Sequence, residues 1–323
     1  MGYFNRLVMS SEQKEITYWS SWKKWPWTTK TAFALSLLGF IFMILFSLMG
    51  PFNDWSFSID TEIADHFGSL IGGVVGSLFS LAGFLLLYET IIKQQESFQI
   101  QQFENKYFEL IKIHRENVQS IKYKVPDSTD DKIVSGHGFF VQLNEEFDKL
   151  YDLIVDFKIS SLSEIDRIEI TSIILFYGVS PKSERTLKDA LNKYDTEIVD
   201  DIIKNLRKVK TDYDANILFF GGHQNRLDHY LRHFAQTIKY IDRTVFLNES
   251  QKYNYAKLIR AQLTQFELSC FFYNTLTKFG KSWREYLLVE KYQLIKNLPR
   301  ILTSGIQPEK YYPKINYDYK KNN

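Results

Sequence analysis

The sequence predicts an all-α protein: an N-terminal two-helix transmembrane hairpin followed by an all-helical cytoplasmic domain. Three observations carry that expectation. Two uncharged apolar runs fall within the first 90 residues, apolar residues recur at helical spacing through most of the remainder, and no Asn-Gly or Asp-Gly hairpin signal occurs anywhere. The parts are expected at 1–30 (a cytoplasmic interfacial segment), 31–90 (the hairpin), 91–305 (the helical cytoplasmic domain) and 306–323 (a poorly ordered tail).

Residues 31–50, TAFALSLLGFIFMILFSLMG, run for twenty residues without a charge, which at 1.5 Å per residue spans a hydrocarbon core of about 30 Å. The run is too long and starts too late for a plain signal peptide. Trp22, Trp25 and Trp27 with Lys23, Lys24 and Lys30 precede it, the residues an interfacial belt requires, and Pro51 helps end it. Residues 67–88, FGSLIGGVVGSLFSLAGFLLLY, form a second uncharged run. The connection between them carries Asp54, Asp60, Glu62 and Asp65 and no Lys or Arg, while Arg6, Lys14, Lys23, Lys24 and Lys30 lie upstream and Lys93 downstream. The positive-inside rule then puts both termini in the cytoplasm and the short loop outside, as for a multi-pass protein of a bacterial inner membrane.

Within the second run Gly68, Gly72, Gly76 and Ser80 recur every fourth residue, drawing a stripe of small residues down one helix face. Three uses stay open: packing against the first helix, packing against a second protomer, or lining a pore in a larger oligomer. No Asp, Glu, Lys or Arg lies inside either run, which argues against a proton relay or charge-coupled transporter. Two spans cannot enclose a pore alone, so a channel requires a homo-oligomer.

Past the membrane, one helix is expected to continue from Tyr88 to about Ile121. Phe98, Phe103, Tyr107, Leu110, His114, Val118 and Ile121 fall near helical spacing, with glutamines on the wet faces. Pro126 and the PDSTDD segment mark a turn, and Gly136-His137-Gly138 a second flexible point. Further helices are expected at about 139–157, 161–180, 184–208, 223–246, 251–279 and 283–298. The second of these opens on Ser163-x-x-Asp166, a capping signal whose side chains satisfy the first free backbone N–H groups, although β-branching makes 171–177 readable as a strand.

The formal net charge of +2 argues against a protein that wraps nucleic acid, and the single cysteine, Cys270, excludes an intramolecular disulfide framework. Cys270 lies in apolar ELSCFFYN and reads as a packed thiol. No phosphate loop, zinc spacing or catalytic-triad signature is present, and no cofactor or metal is expected. The richest polar segment is GGHQNRLDHYLRHFAQTIKYIDR (221–243), holding His223, His229 and His233 among Arg226 and Arg232. On a helix Arg226, His229 and His233 share a face, and Arg232 can pair with Asp228 on another. The side chains could organise a bundle interior, bind an anion such as a nucleotide or nucleic-acid phosphate, or act as the Arg and His of a helical HEPN-type ribonuclease with Arg226 and His233 in catalytic roles. Zinc binding by His229 and His233 lacks a third ligand. Arg260, Gln262 and Glu267 on the following helix would need partners if buried, and could bridge to this cluster.

Taken in order, FENKYFELIKIHRENVQSI (103–121), GHGFFVQLNEEF (136–147), LFYGVS (175–180), HQNRLDHYLRHFAQTIKYID (223–242) and YNYAKLIRAQLTQFELSCFFYNTLTKFGKSW (253–283) resemble the phage abortive infection family of the AbiC type. The resemblance covers most of the chain beyond the second run and implies a role rather than a reaction: an antiviral effector that stops growth or kills the infected cell. From the hairpin, the small-residue stripe and the long exit helix, the chain is expected to act on the lipid bilayer, oligomerising or opening when triggered and disrupting the inner membrane. The alternatives are a membrane-tethered HEPN-like ribonuclease or a non-toxic membrane-anchored sensor. The trigger would be a signalling nucleotide, nucleic acid or regulatory protein from a neighbouring gene.

Overall fold

The computed structural model describes residues 25–48, 61–124, 133–212 and 221–320. Trp22, the acidic loop residues Asp54 and Asp60, Pro51 and the turn at 126–131 lie outside these. Residues 1–105 and 106–323 form two compact units.

The first unit holds α1 (Trp27–Ser47), α2 (Thr61–Leu70), a π-helical turn at Ile71–Val75 and the start of α3 (Gly76–Ser120). Two of its helices are long and apolar enough to cross a membrane. Their outward faces are Phe33, Leu37, Leu38, Phe40, Ile41, Ile44 and Leu45 on the first and Phe79, Leu81, Phe84, Leu86 and Leu87 on the second, all exposed. In water so large an apolar surface would drive association, whereas lipid solvates it. Along the described apolar stretches the buried residues are small: Thr28, Ala32 and Gly39 on α1, and Val75 and Ala82 on the helix it meets. A Cβ on Gly39 would lie 3.6 Å from Val75 Cγ1 and 3.7 Å from Leu78. Near one end of this seam Thr28 Oγ1 donates to Glu89 Oε2 at 2.6 Å.

The seam is not the Gly68–Gly72–Gly76–Ser80 stripe. A Cβ built on Gly68, Gly72 or Gly76 meets nothing within 4 Å, and Ser80 is exposed. The Gly76 N–H donates to Ile71 O, five residues back rather than four, so a wide π-turn lies in the middle of this open stripe. α1 supplies the close approach instead, through Ala32 and Gly39.

The second unit is helical apart from a short antiparallel ribbon, β1 (Lys122–Lys124) with β2 (Ile133–Ser135), pairing Tyr123 with Val134. Then follow α4 (His137–Asp156), α5 (Glu164–Tyr177), α6 (Glu184–Ala190), α7 (Thr196–Asp212), α8 (Gln224–Arg243), α9 (Glu249–Arg260), α10 (Gln265–Leu276), α11 (Lys281–Glu285), α12 (Leu288–Lys291) and α13 (Pro308–Tyr311). α4 is central and packs against α5 and α10. It buries Phe139, Phe140, Leu143, Phe147, Leu150 and Ile154, whose spacing of three and four residues makes one apolar face. Phe234 of α8 meets Phe271 of α10 edge-on at 5.0 Å and Trp283 of α11 at 5.7 Å, joining the later helices to this core.

The Ser163 cap forms as expected: its side chain accepts from Asp166 N, and Asp166 returns a bond to Ser163 N at 3.1 Å. Residues 171–177 are helical.

Three expected helices are broken. The 184–208 stretch divides into α6 and α7. The 251–279 stretch divides at Ala261–Thr264, because Thr264 and Glu267 form a second capping box: Thr264 Oγ1 accepts from Glu267 N at 3.2 Å and Glu267 Oε2 accepts from Thr264 N at 2.8 Å. The 283–298 stretch becomes two short helices and turns, with Leu287 and Gln293 at φ 51° and 52°, a left-handed backbone no helix continues through. The tail also differs from expectation, since Tyr312, Ile315 and Tyr317 are buried and Asn316 N donates to Gln293 Oε1 at 2.7 Å. Its tyrosines bury apolar rings that a purely polar tail would lack.

Candidate functional site

The polar interior of the second unit is assembled where α8 begins. Gly222, at φ 70°, lies so close to the end of α5 that a Cβ there would be 2.4 Å from the Tyr177 carbonyl carbon. Only glycine permits both that conformation and that approach. The contact delivers the His223 N–H to Phe176 O at 2.9 Å and to Leu175 O at 3.1 Å, anchoring His223 in the core. Its Nε2 sits 2.7 Å from Glu146 Oε2 of α4, with both side chains buried. The rings of Tyr123 and Phe139 stand edge-on to it at 5.0 and 5.3 Å. Burial first, and the Glu146 carboxylate second, raise the Tyr123 phenol above its ordinary range.

A second buried carboxylate, Glu267 of α10, accepts from Thr264 and lies 3.1 Å from His137 Nδ1 at the start of α4. Burial and this carboxylate raise the Tyr230 phenol of α8. They act likewise on the Cys270 thiol, which burial, then Glu267, pushes up to about 12. A thiol so protonated is a packing group, not a nucleophile.

His114, late in α3, is 1% exposed with no hydrogen-bond partner on either ring nitrogen. It packs 5.2 Å from the Tyr230 ring, 5.7 Å from Phe234 and 6.1 Å from His233. Burial first, then the positive potential of His233 and His137, hold it down to about 4.

Beside this interior lies an open cleft of about 280 Å³, lined by Asn117, Ser120, Ile121 and Lys122 on one side and by Asn225, Arg226, His229 and Tyr230 of α8 on the other. Arg226 is positioned twice. Its Nε donates to Lys122 O at 3.2 Å, and its guanidinium lies 4.7 Å over the Tyr123 ring, a stacked arrangement suited to arginine.

Of the sequence-nominated residues, Arg226 and His229 therefore share a cleft. His233 instead donates through Nε2 to Leu110 O at 2.8 Å, beside His114. Arg232 points outward and pairs with Asp228 in the expected way. Arg260 stands apart from the cluster, its guanidinium donating to Gln293 O at 2.7 Å and so holding the turn after α12. Glu267 does reach toward α8, through Tyr230. Among the described residues no group of three or more His, Cys, Asp or Glu converges on one point. Sequence reasoning missed Glu146, Tyr123, Lys122 and Asn225. Only Glu146 had a signal, as a carboxylate on the apolar face of a predicted helix.

Residues 222–301 match the family model described as "Putative phage abortive infection protein". The resemblance to abortive infection proteins holds over this segment. It covers about a quarter of the chain. No curated protein and no solved structure matches. The abortive-infection segment opens at Gly222, the glycine wedged against α5, and runs through α8–α12 to the turn at Arg300–Leu302. It carries His223, Arg226, Tyr230 and Glu267. Other stretches of the chain supply their partners: His114 from 103–121, His137 and Glu146 from 136–147, and Tyr177 from 175–180. Segments far apart in sequence thus meet around α8 and α10.

Proposed function

We propose that this protein is a membrane-anchored abortive-infection effector. On infection its helical cytoplasmic domain oligomerises or rearranges, and the N-terminal helices then breach the inner membrane. The observation that carries this reading is the coexistence in one chain of the abortive-infection segment at 222–301 and two apolar, membrane-length helices. Helices paired through small side chains, with Phe, Leu and Ile left outward, suit a lipid environment. The exposed small-residue stripe leaves a face for a second copy.

The test is expression in phage-challenged bacteria, with plaque counts and a membrane-potential dye read together. Protection accompanied by collapse of the potential before lysis is expected. Protection with a fully polarised membrane would sink the mechanism while leaving the defence role standing. The ribonuclease alternative draws no support from the geometry, since Arg226 lines the open cleft whereas His233 turns its Nε2 to the Leu110 carbonyl beside His114.

A further inference from the structure

We infer that the cleft between the end of α3, β1 and the start of α8 binds a nucleotide through its phosphate. The argument starts from charge. Among its eight lining residues, Lys122, Arg226 and His229 can carry positive charge and none is acidic. Among the described residues, neither Lys122 nor Arg226 forms an ion pair with a carboxylate, whereas the neighbouring Arg232 pairs with Asp228 and Lys112 with Glu116. A cluster of cations left unneutralised around a concavity is an anion site in waiting.

Pre-organisation adds to this. Arg226 is half-buried and held by the Lys122 carbonyl and the Tyr123 ring through Nε and its face. Its planar fork is thereby oriented before any ligand arrives, so little side-chain entropy remains to be lost on binding. The backbone contributes as well. α8 is twenty residues long, and its N-cap, His223, makes no side-chain capping bond because its ring is turned to Glu146. Asn225, in the first turn, lines the cleft, where the dipole of a long helix adds partial positive charge.

The volume selects the class. About 280 Å³ is far more than a bare phosphate fills and lies near the lower end for organic ligands, roughly 300 Å³. Asn117 and Asn225 offer an amide donor and acceptor each, the pairing that base edges recognise. Ile121 and Tyr230 give apolar walls. A mononucleotide, with phosphate on the cations and base toward the asparagines, uses every one of these groups. Its part as a trigger rests on the effector reading above; the binding itself does not.

Calorimetry on the full chain in detergent tests it, with adenosine 5′-monophosphate, guanosine 5′-monophosphate, inorganic phosphate and glycerol 3-phosphate as probes, the last standing for a lipid headgroup. Saturable binding of at least one mononucleotide, tighter than phosphate or glycerol 3-phosphate, is expected. Arg226→Gln and Lys122→Gln should each weaken it by about tenfold or more. Arg232→Gln removes the same charge outside the cleft and should leave affinity unchanged, with circular dichroism checking that all three variants fold. No saturable binding, or equal weakening by Arg226→Gln and Arg232→Gln, overturns the site. Glycerol 3-phosphate binding as tightly as the nucleotides overturns the assignment to a nucleotide. Because the readout is binding, it is separable from phage protection: a chain that binds but does not depolarise membranes refutes the effector mechanism alone.

Discussion

Acidification should destabilise the second unit through His114, and replacing that residue should remove the effect. The ring is 1% exposed and both nitrogens lack partners, so only its neutral form is comfortable in the fold. Its ordinary value is 6.5 and the folded chain holds it at about 4. As pH falls through 6.5 the unfolded chain takes up a proton that the folded chain refuses until about pH 4. Stability is therefore intact above 6.5 and is lost progressively between 6.5 and 4, by roughly 3 kcal/mol in total at about 1.4 kcal/mol per pH unit.

Denaturant melts of the wild type and of His114→Leu at pH 7.5, 6.5, 5.5 and 4.5 isolate this contribution, because the difference between the two cancels the titration of other groups. At pH 7.5 the leucine variant should match or exceed the wild type, since it removes two unpaired polar atoms from an aromatic pocket. Its advantage should grow by roughly 2.5 kcal/mol at the lowest pH, 4.5. A difference that stays constant across the series would refute the reasoning.

Two further outcomes follow from the packing. Glu267→Leu removes the acceptor of the α10 capping box and the His137 contact, and should cost about 2–4 kcal/mol. Glu267→Gln, whose amide oxygen still accepts from Thr264, should cost less than half of that, and a leucine variant melting with the wild type would count against the box. In the first unit Gly39→Leu overpacks a seam with Val75 and Leu78 within 3.7 Å and should cost about 1–3 kcal/mol, seen as loss of protease-resistant hairpin in membrane vesicles. Gly72→Ala, with nothing within 4 Å, should leave that fragment unchanged; equal damage by both would show that the seam is misassigned.

Much of the local structure was legible because it is written in adjacent residues. The Ser163 cap, the helical face of Phe139 to Ile154 and the long charge-free runs each depend on spacings of a few residues. Thr264-x-x-Glu267 was equally local, and it was overlooked because apolar spacing continues through it. The ends of 283–298 were not legible. Left-handed backbone at Leu287 and Gln293 has no signature in those residue types, and it is sustained by packing, such as the bonds Arg260 makes to the Gln293 carbonyl. The tail was misjudged because its lysines suggested solvation while its tyrosines found a core.

For the site, periodicity put Arg226 and His229 on one face of α8 and they do share a cleft. It could not supply the other wall, because Asn117 and Lys122 lie about a hundred residues upstream and arrive only through the fold. By itself, then, the sequence determined the helical class, the two membrane-length helices and the resemblance to abortive infection proteins. Tertiary structure alone decided which small residues form the seam between the two apolar helices, that His223 meets Glu146 while Glu267 meets His137, and that Arg260 belongs elsewhere. The reason is physical: helix and membrane signals are set by neighbours along the chain, whereas a buried charge is paired by whichever partner the packing of distant helices brings within about 3 Å.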